Sequence, residues 1–191
     1  MNRIMSAATL TGTAKFLGWI AVLVTALQIA GHAQAADQAP GPEAFYGRYH
    51  GTGLARDPNI MAFGFDKRDF DVEIGAAEGG GFFVAWTTVM QTPTGKETKR
   101  KSTRIDFVPS GRAGIYIDHA AATGIANGLS WASISERALT VRVLTILDDG
   151  AYQVQSYQRT LSKDGLYLVF RSDGDGAIIR IVTADLQKQA K

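Results

Sequence analysis

The chain of 191 residues contains no cysteine, and that one absence removes several chemistries together. Disulfides, thiolate nucleophiles and thiolate metal ligands are all excluded. Histidine is scarce too, with three in the chain, at positions 32, 50 and 119. No H-E-x-x-H or other paired imidazole occurs, so the spacing of a histidine metal centre is missing. An excess of charge of one sign is also lacking beyond the N-terminal segment. Arg3 and Lys15 lie within residues 1–35 and no acid does, which leaves 18 basic and 18 acidic side chains in the remaining 156 residues. A chain neutral over that length lacks the basic surface that a nucleic-acid binder needs to neutralise phosphates.

Residues 1–35 have the three-part layout of a secretory signal. Two basic residues precede the apolar run LGWIAVLVTALQIA, residues 17–30, and Ala33-Gln34-Ala35 fits the small-x-small cleavage rule. The run is shorter than the roughly 20 residues that a spanning helix needs, and no basic stop-transfer cluster follows it. The expectation is cleavage after Ala35 and a periplasmic or secreted mature protein, an uncleaved N-terminal anchor being the alternative. A lipid-anchored lipoprotein is excluded because there is no cysteine to acylate. Residues 36–44, ADQAPGPEA, read as a short flexible leader.

From Phe45 onward there is no helical stripe. Runs of five to ten residues rich in Val, Ile, Tyr, Phe and Thr alternate with turn clusters. Strands are expected at 45–54, 69–76, 82–91, 98–108, 114–119 and 129–136, followed by four more in RALTVRVLTILDDGAYQVQSYQRTLSKDGLYLVFRSDGDGAIIRIVTADL. There Asp149-Gly150, Asp164-Gly165 and Asp173-Gly174-Asp175-Gly176 provide residues that tolerate the positive φ of tight hairpins. About ten strands with short loops make an antiparallel meander, and an open meander of that size would expose two long edges. The expected fold is therefore all-β: a closed antiparallel up-and-down β-barrel of about 8–10 strands over residues 45–185, with 186–191 as a polar C-terminal tail. A membrane barrel is disfavoured by Arg100, Arg104, Arg142, Arg159, Arg171 and Arg180, which interrupt the strands.

Reactive motifs do not assemble. Gly51-Thr52-Gly53-Leu54-Ala55-Arg56 begins like a dinucleotide fingerprint, but Arg56 replaces the third small residue and Pro58 ends the segment with no helix behind it. Asp173-Gly174-Asp175-Gly176 lacks the third acid and the bidentate glutamate of a calcium loop. Ser110 lies in a plain turn, and Asp118 and His119 are sequence neighbours that a strand would point to opposite faces. No catalytic residue, metal or cofactor is expected from these patterns. Tyr157 and Arg159, two apart on one strand, share a face, and an arginine beside a tyrosine hydroxyl is a receptor for a carboxylate. Trp86 and Trp131 are candidates for an aromatic wall, and Arg180 is a further cationic candidate. The basic run KETKRKSTR, with Lys96, Lys99, Arg100, Lys101 and Arg104, reads either as a charge-guarded hairpin or as a surface for a membrane or an acidic protein.

FYGRYHGTG near the start and the DG-punctuated meander at the end resemble the lipocalin-like, or calycin, barrels. That family opens with a Gly-x-Trp element on its first strand, and Gly47-Arg48-Tyr49 matches it with tyrosine in place of tryptophan. YQRTLSKDGLYLVF is similar to the penultimate hairpin of small bacterial calycins, nitrobindin-like ones among them. The resemblance implies a barrel able to hold a small hydrophobic or amphipathic ligand, with Tyr157 and Arg159 as an analogy for the Arg and Tyr of lipid-binding relatives. Nitrobindin-like members bind haem through a late-strand histidine, whereas IIRIVTADL carries Arg180 and no histidine. The leading expectation is a non-catalytic carrier of such a ligand. The alternatives are an envelope interaction module and a barrel isomerase or cyclase in which His119, Glu136 or Arg159 converge.

Overall fold

The computed structural model describes residues 41–56, 66–92, 94–123 and 128–190, and the signal and most of the leader lie outside them. Ten strands follow in order: β1 (Gly47–Arg56), β2 (Asp66–Ala76), β3 (Phe82–Gln91), β4 (Glu97–Pro109), β5 (Ile115–Asp118), β6 (Gly128–Ser135), β7 (Ala138–Ile146), β8 (Tyr152–Leu161), β9 (Gly165–Gly174) and β10 (Ala177–Lys188). Each pairs antiparallel with its sequence neighbours, and β1 pairs with β10, so the sheet closes into an up-and-down barrel. The one α-helix among the described residues is the short α1 (His119–Thr123).

Local chemistry explains the turns. Asp175 (φ 48°) and Gly176 (φ 82°) form the two-residue link between Gly174 and Ala177, both in the left-handed region that such a hairpin demands. Closure depends on small residues in β1. A Cβ on Gly51 would lie 2.1 Å from the Asp185 carbonyl oxygen, and one on Gly53 2.5 Å from that of Thr183. The glycines of FYGRYHGTG thus let the first strand approach the last along the seam.

Period-two alternation then fills the interior. Phe45, Phe82, Phe107, Leu139, Val141 and Leu166 are wholly buried. Phe82 packs against Phe107 at 5.2 Å and edge-on against Tyr116 at 4.9 Å between ring centroids. The Tyr49 hydroxyl donates to the Phe45 carbonyl (2.8 Å), tying β1 to the 3-10 turn Pro42–Phe45 that precedes it. This turn corrects the expectation of a flexible leader through residue 44, since Pro42 is already buried.

The C-terminal expectation also needs correction. Residues 186–191 do not begin a tail, because β10 runs on to Lys188. Leu186 is 1% exposed and sits between Gly51 and Leu166. The inward set Val182, Ala184, Leu186 continues unbroken, masked in the sequence by the polar outward residues Asp185 and Gln187. The outer face of the barrel is charged, with Arg48–Glu73 (3.4 Å), His50–Asp71 (2.7 Å), Arg100–Glu97 (2.9 Å) and Arg104–Asp106 (2.8 Å). It is not the apolar outer band of a membrane-spanning barrel.

Candidate ligand-binding site

The register of β8 decides what faces inward. Leu139 and Leu168 flank Arg159, Val141 and Phe170 flank Tyr157, and Val143 and Ser172 flank Gln155. One strand face therefore runs Gln153, Gln155, Tyr157, Arg159 from the rim towards the packed core. These side chains form a hydrogen-bonded ladder. Tyr157 Oη donates to Gln155 Oε1 (2.9 Å), Gln155 Nε2 to Gln153 Oε1 (3.2 Å), and Gln153 Nε2 to Ser172 Oγ (3.1 Å).

Arg159, the next residue along this face, stands outside these hydrogen bonds and is completely buried. Its Nε and Nη1 atoms have no hydrogen-bond partner. Its guanidinium carbon lies 5.5 Å from the Trp86 ring centroid and 5.6 Å from that of Tyr157. Burial lowers its pKa to about 10, opposed by Tyr157, so the group remains cationic at neutral pH. Burial likewise raises the Tyr157 hydroxyl, while Arg159, Trp86 and Arg68 pull it down. Buried N–H donors are ordinarily satisfied, and a buried cation ordinarily has a counter-charge. Aromatic faces offset part of the missing charge but accept no N–H bond of full strength.

Beside this group a cavity of about 250 Å³ opens at the β2–β3–β4 and β8–β10 end of the barrel. Trp86, Tyr157 and Phe170 make its aromatic wall, with Trp86 and Phe170 each 4.8 Å from Tyr157 between centroids. Arg68, Lys99, Lys101 and Arg180 line it, and no acid does among the described residues. Arg68 is 6% exposed, on the inward face of β2 with Phe70 and Val72. A bulge between Ile178 and Arg180 offsets the two-residue β9–β10 turn, so Arg180 faces Ser172. This is a bulge that re-aims a side chain.

Four of the five residues singled out from the sequence thus come together: Trp86 and Tyr157 at the wall, Arg180 in the lining and Arg159 behind it. Trp131 does not. It pairs with Ile117 and Arg142 on the outer face, while the small neighbours Ser130 and Ala132 point inward. The basic run is not one surface either. Lys99 and Lys101 share the inward face with Thr88 and Met90 and line the cavity, whereas Arg100 and Arg104 project outward to Glu97 and Asp106. Lys96 sits in the β3–β4 turn. Arg68, Gln153 and Gln155 escaped the sequence reading, and only the spacing of Gln153, Gln155, Tyr157 and Arg159 could have signalled the ladder.

A catalytic convergence of His119, Glu136 and Arg159 is absent. His119 and Glu136 are exposed, at the start of α1 and in the β6–β7 turn, and Arg159 is inside. The cavity is not an apolar central void, because the apolar half of the interior is a cluster of buried side chains and the open half is polar. A larger hollow of about 560 Å³ on the outer face, bordered by His50, Asp71, Thr87 and Ser102, is shallow. Its groups are already matched, His50 with Asp71 and Thr87 with Ser102 (2.8 Å).

No protein-family model matches the sequence, and no curated protein matches it significantly. Among solved structures the chain is similar to Rv2717c from M. tuberculosis, at 13% identity and a TM-score of 0.43, over 78% of this chain and 94% of that one. It is also similar to the S-type phycobiliprotein lyase CPES from Guillardia theta, at 8% identity and a TM-score of 0.34, over 78% and 92%. A 12:0-ACP thioesterase from Umbellularia californica overlaps at 9% identity and a TM-score of 0.17, over 77% of each chain. The calycin-like likeness of this chain is one of fold, and it rests on the closed antiparallel barrel itself.

Proposed function

We propose that this barrel binds or carries a small amphipathic molecule with an anionic group, without catalysing its conversion, and that it does so in the periplasm after cleavage following Ala35. One observation carries the reading. Arg159 is a fully buried cation with two unpartnered nitrogens, set behind the aromatic wall of a cavity that opens at one end of the barrel. Retaining such a group is costly unless something supplies the missing acceptor. A carboxylate beside Tyr157 would supply it, with the apolar part of the molecule against Trp86 and Phe170. At about 250 Å³ the cavity is smaller than a drug-sized site of roughly 300–1,000 Å³, so a small ligand or the head of a larger one fits it. The layout of residues 1–35 supports export, and a neutral remaining chain without cysteine is compatible with that compartment.

Native mass spectrometry of the protein purified from the envelope of its own cells tests this reading. The expected result is an N-terminus at Ala36 and a co-purifying acidic small molecule. That molecule should be lost from Arg159→Met and kept in Trp131→Phe, whose altered side chain lies on the outer face. Protein recovered ligand-free, with dodecanoate also failing to bind it, would overturn the carrier reading.

A further inference from the structure

The charge of the cavity exceeds what one carboxylate can use. A single carboxylate at Arg159 satisfies one guanidinium, bidentately at best. Lys99, Lys101 and Arg180 remain around the same small volume with no acid among the described lining residues. Like charges that line one cavity repel one another. Yet the chain could have placed them elsewhere. The register that turns Arg100 and Arg104 outward to Glu97 and Asp106 turns Lys99 and Lys101 inward, where no carboxylate among the described residues pairs with them. The bulge in β10 turns Arg180 inward as well. The outer face of the same β4 strand is thus charge-paired, and among the described residues its inner face carries positive charge in excess.

We propose that the molecule bound here carries at least two negative charges on its head, as a phosphate monoester or a paired-acid group does, and that Lys99, Lys101 and Arg180 hold that head. This inference rests on the carrier reading and specifies the ligand class for it. Gln155 adds a neutral amide to the lining beside these cations, which suits hydrogen bonding to oxygen-rich anions. The aromatic wall receives the apolar remainder.

Isothermal titration at about pH 8, above the second ionisation of a phosphate monoester near 6, compares dodecyl phosphate with dodecanoate and with inorganic phosphate. The expected result is binding of dodecyl phosphate about tenfold or more tighter than dodecanoate, since one added charge faces several cations. Lys99→Gln/Lys101→Gln should reduce that preference to about twofold or less, and Arg180→Gln should reduce it in part. Lys96→Gln/Arg100→Gln removes the same number of charges from the same hairpin but outside the cavity, and it should leave the preference unchanged. These are exposed or half-exposed positions, so folding is not at stake. Inorganic phosphate bound as tightly as dodecyl phosphate would support the head site and identify a free anion as its occupant. Dodecanoate bound as tightly as dodecyl phosphate, or a preference untouched by the inner lysines, would overturn the inference and leave the carrier reading intact. Binding of none of the three probes would count against both.

Discussion

The two halves of the barrel interior are built from the same strands and obey opposite rules. At the end closed by the 3-10 turn, Phe45, Phe82, Phe107, Leu139, Leu166 and Leu186 are buried against one another. At the other end, Arg68, Gln153, Gln155, Ser172 and Arg180 occupy the corresponding inward positions. Along β9 the inward sequence is Leu166, Leu168, Phe170, Ser172, and along β10 it is Leu186, Ala184, Val182, Arg180. Each strand therefore crosses from a packed floor to a polar mouth. The floor contributes stability, whereas the mouth holds a buried guanidinium with two unpartnered nitrogens, which opposes it. Folding alone does not account for the second half, and that asymmetry is what supports the proposed carrier reading.

The contrast can be broken most strongly in the floor. Phe107→Ala should cost about 3–5 kcal/mol through lost burial and the cavity left behind. For a chain of this size that is a fall of roughly 10 °C in the thermal midpoint, checked by calorimetry. Dodecanoate affinity in the surviving folded protein should change little, because Phe107 does not line the cavity.

At the mouth the sign should reverse. Arg159→Met removes a wholly buried cation with unpartnered donors and replaces it with an apolar side chain, so the ligand-free protein should gain about 3 kcal/mol at neutral pH. Burial lowers the folded pKa to about 10, below the ordinary arginine value that the unfolded chain keeps. The penalty is therefore complete below about 10, and it is relieved as pH rises beyond that towards the ordinary arginine value, where the unfolded chain still holds the proton and the folded chain does not. The advantage of the variant over wild type should shrink through that window in chemical denaturation, and its dodecanoate binding should be lost. A ligand-free variant less stable than wild type would mean that Arg159 already has its counter-charge.

The smallest effect is expected at the junction. Tyr157→Phe deletes the hydrogen bond to Gln155 while keeping the aromatic wall, at about 1 kcal/mol measured by urea denaturation. Its effect on dodecanoate binding should be smaller than that of Arg159→Met.

Most of the architecture was legible from residue order. Alternation and the Asp-Gly turns placed ten strands to within a few residues, and the edge argument closed them. The ends were less legible because polar outward residues disguised a strand that still buries Leu186. The candidate site was legible only in part. Tyr157 and Arg159 were paired by their spacing, but the same spacing could not reveal that Trp131 faces outward. Nor could it show that KETKRKSTR divides between cavity and outer surface. Arg68, within FGFDKRDF, gave no sign of burial at all.

The division has a simple physical origin. Local order determines which residues share a face, because a strand repeats every two residues and the turn residues set where it ends. Which of the two faces is the inside is a property of the register, and a shift of one residue would exchange them everywhere. By itself the sequence determined an all-β chain and the absence of thiol chemistry. The tertiary structure alone decided that one half of the barrel packs solid while the other gathers arginines and lysines from β2, β4, β8 and β10 around one small cavity.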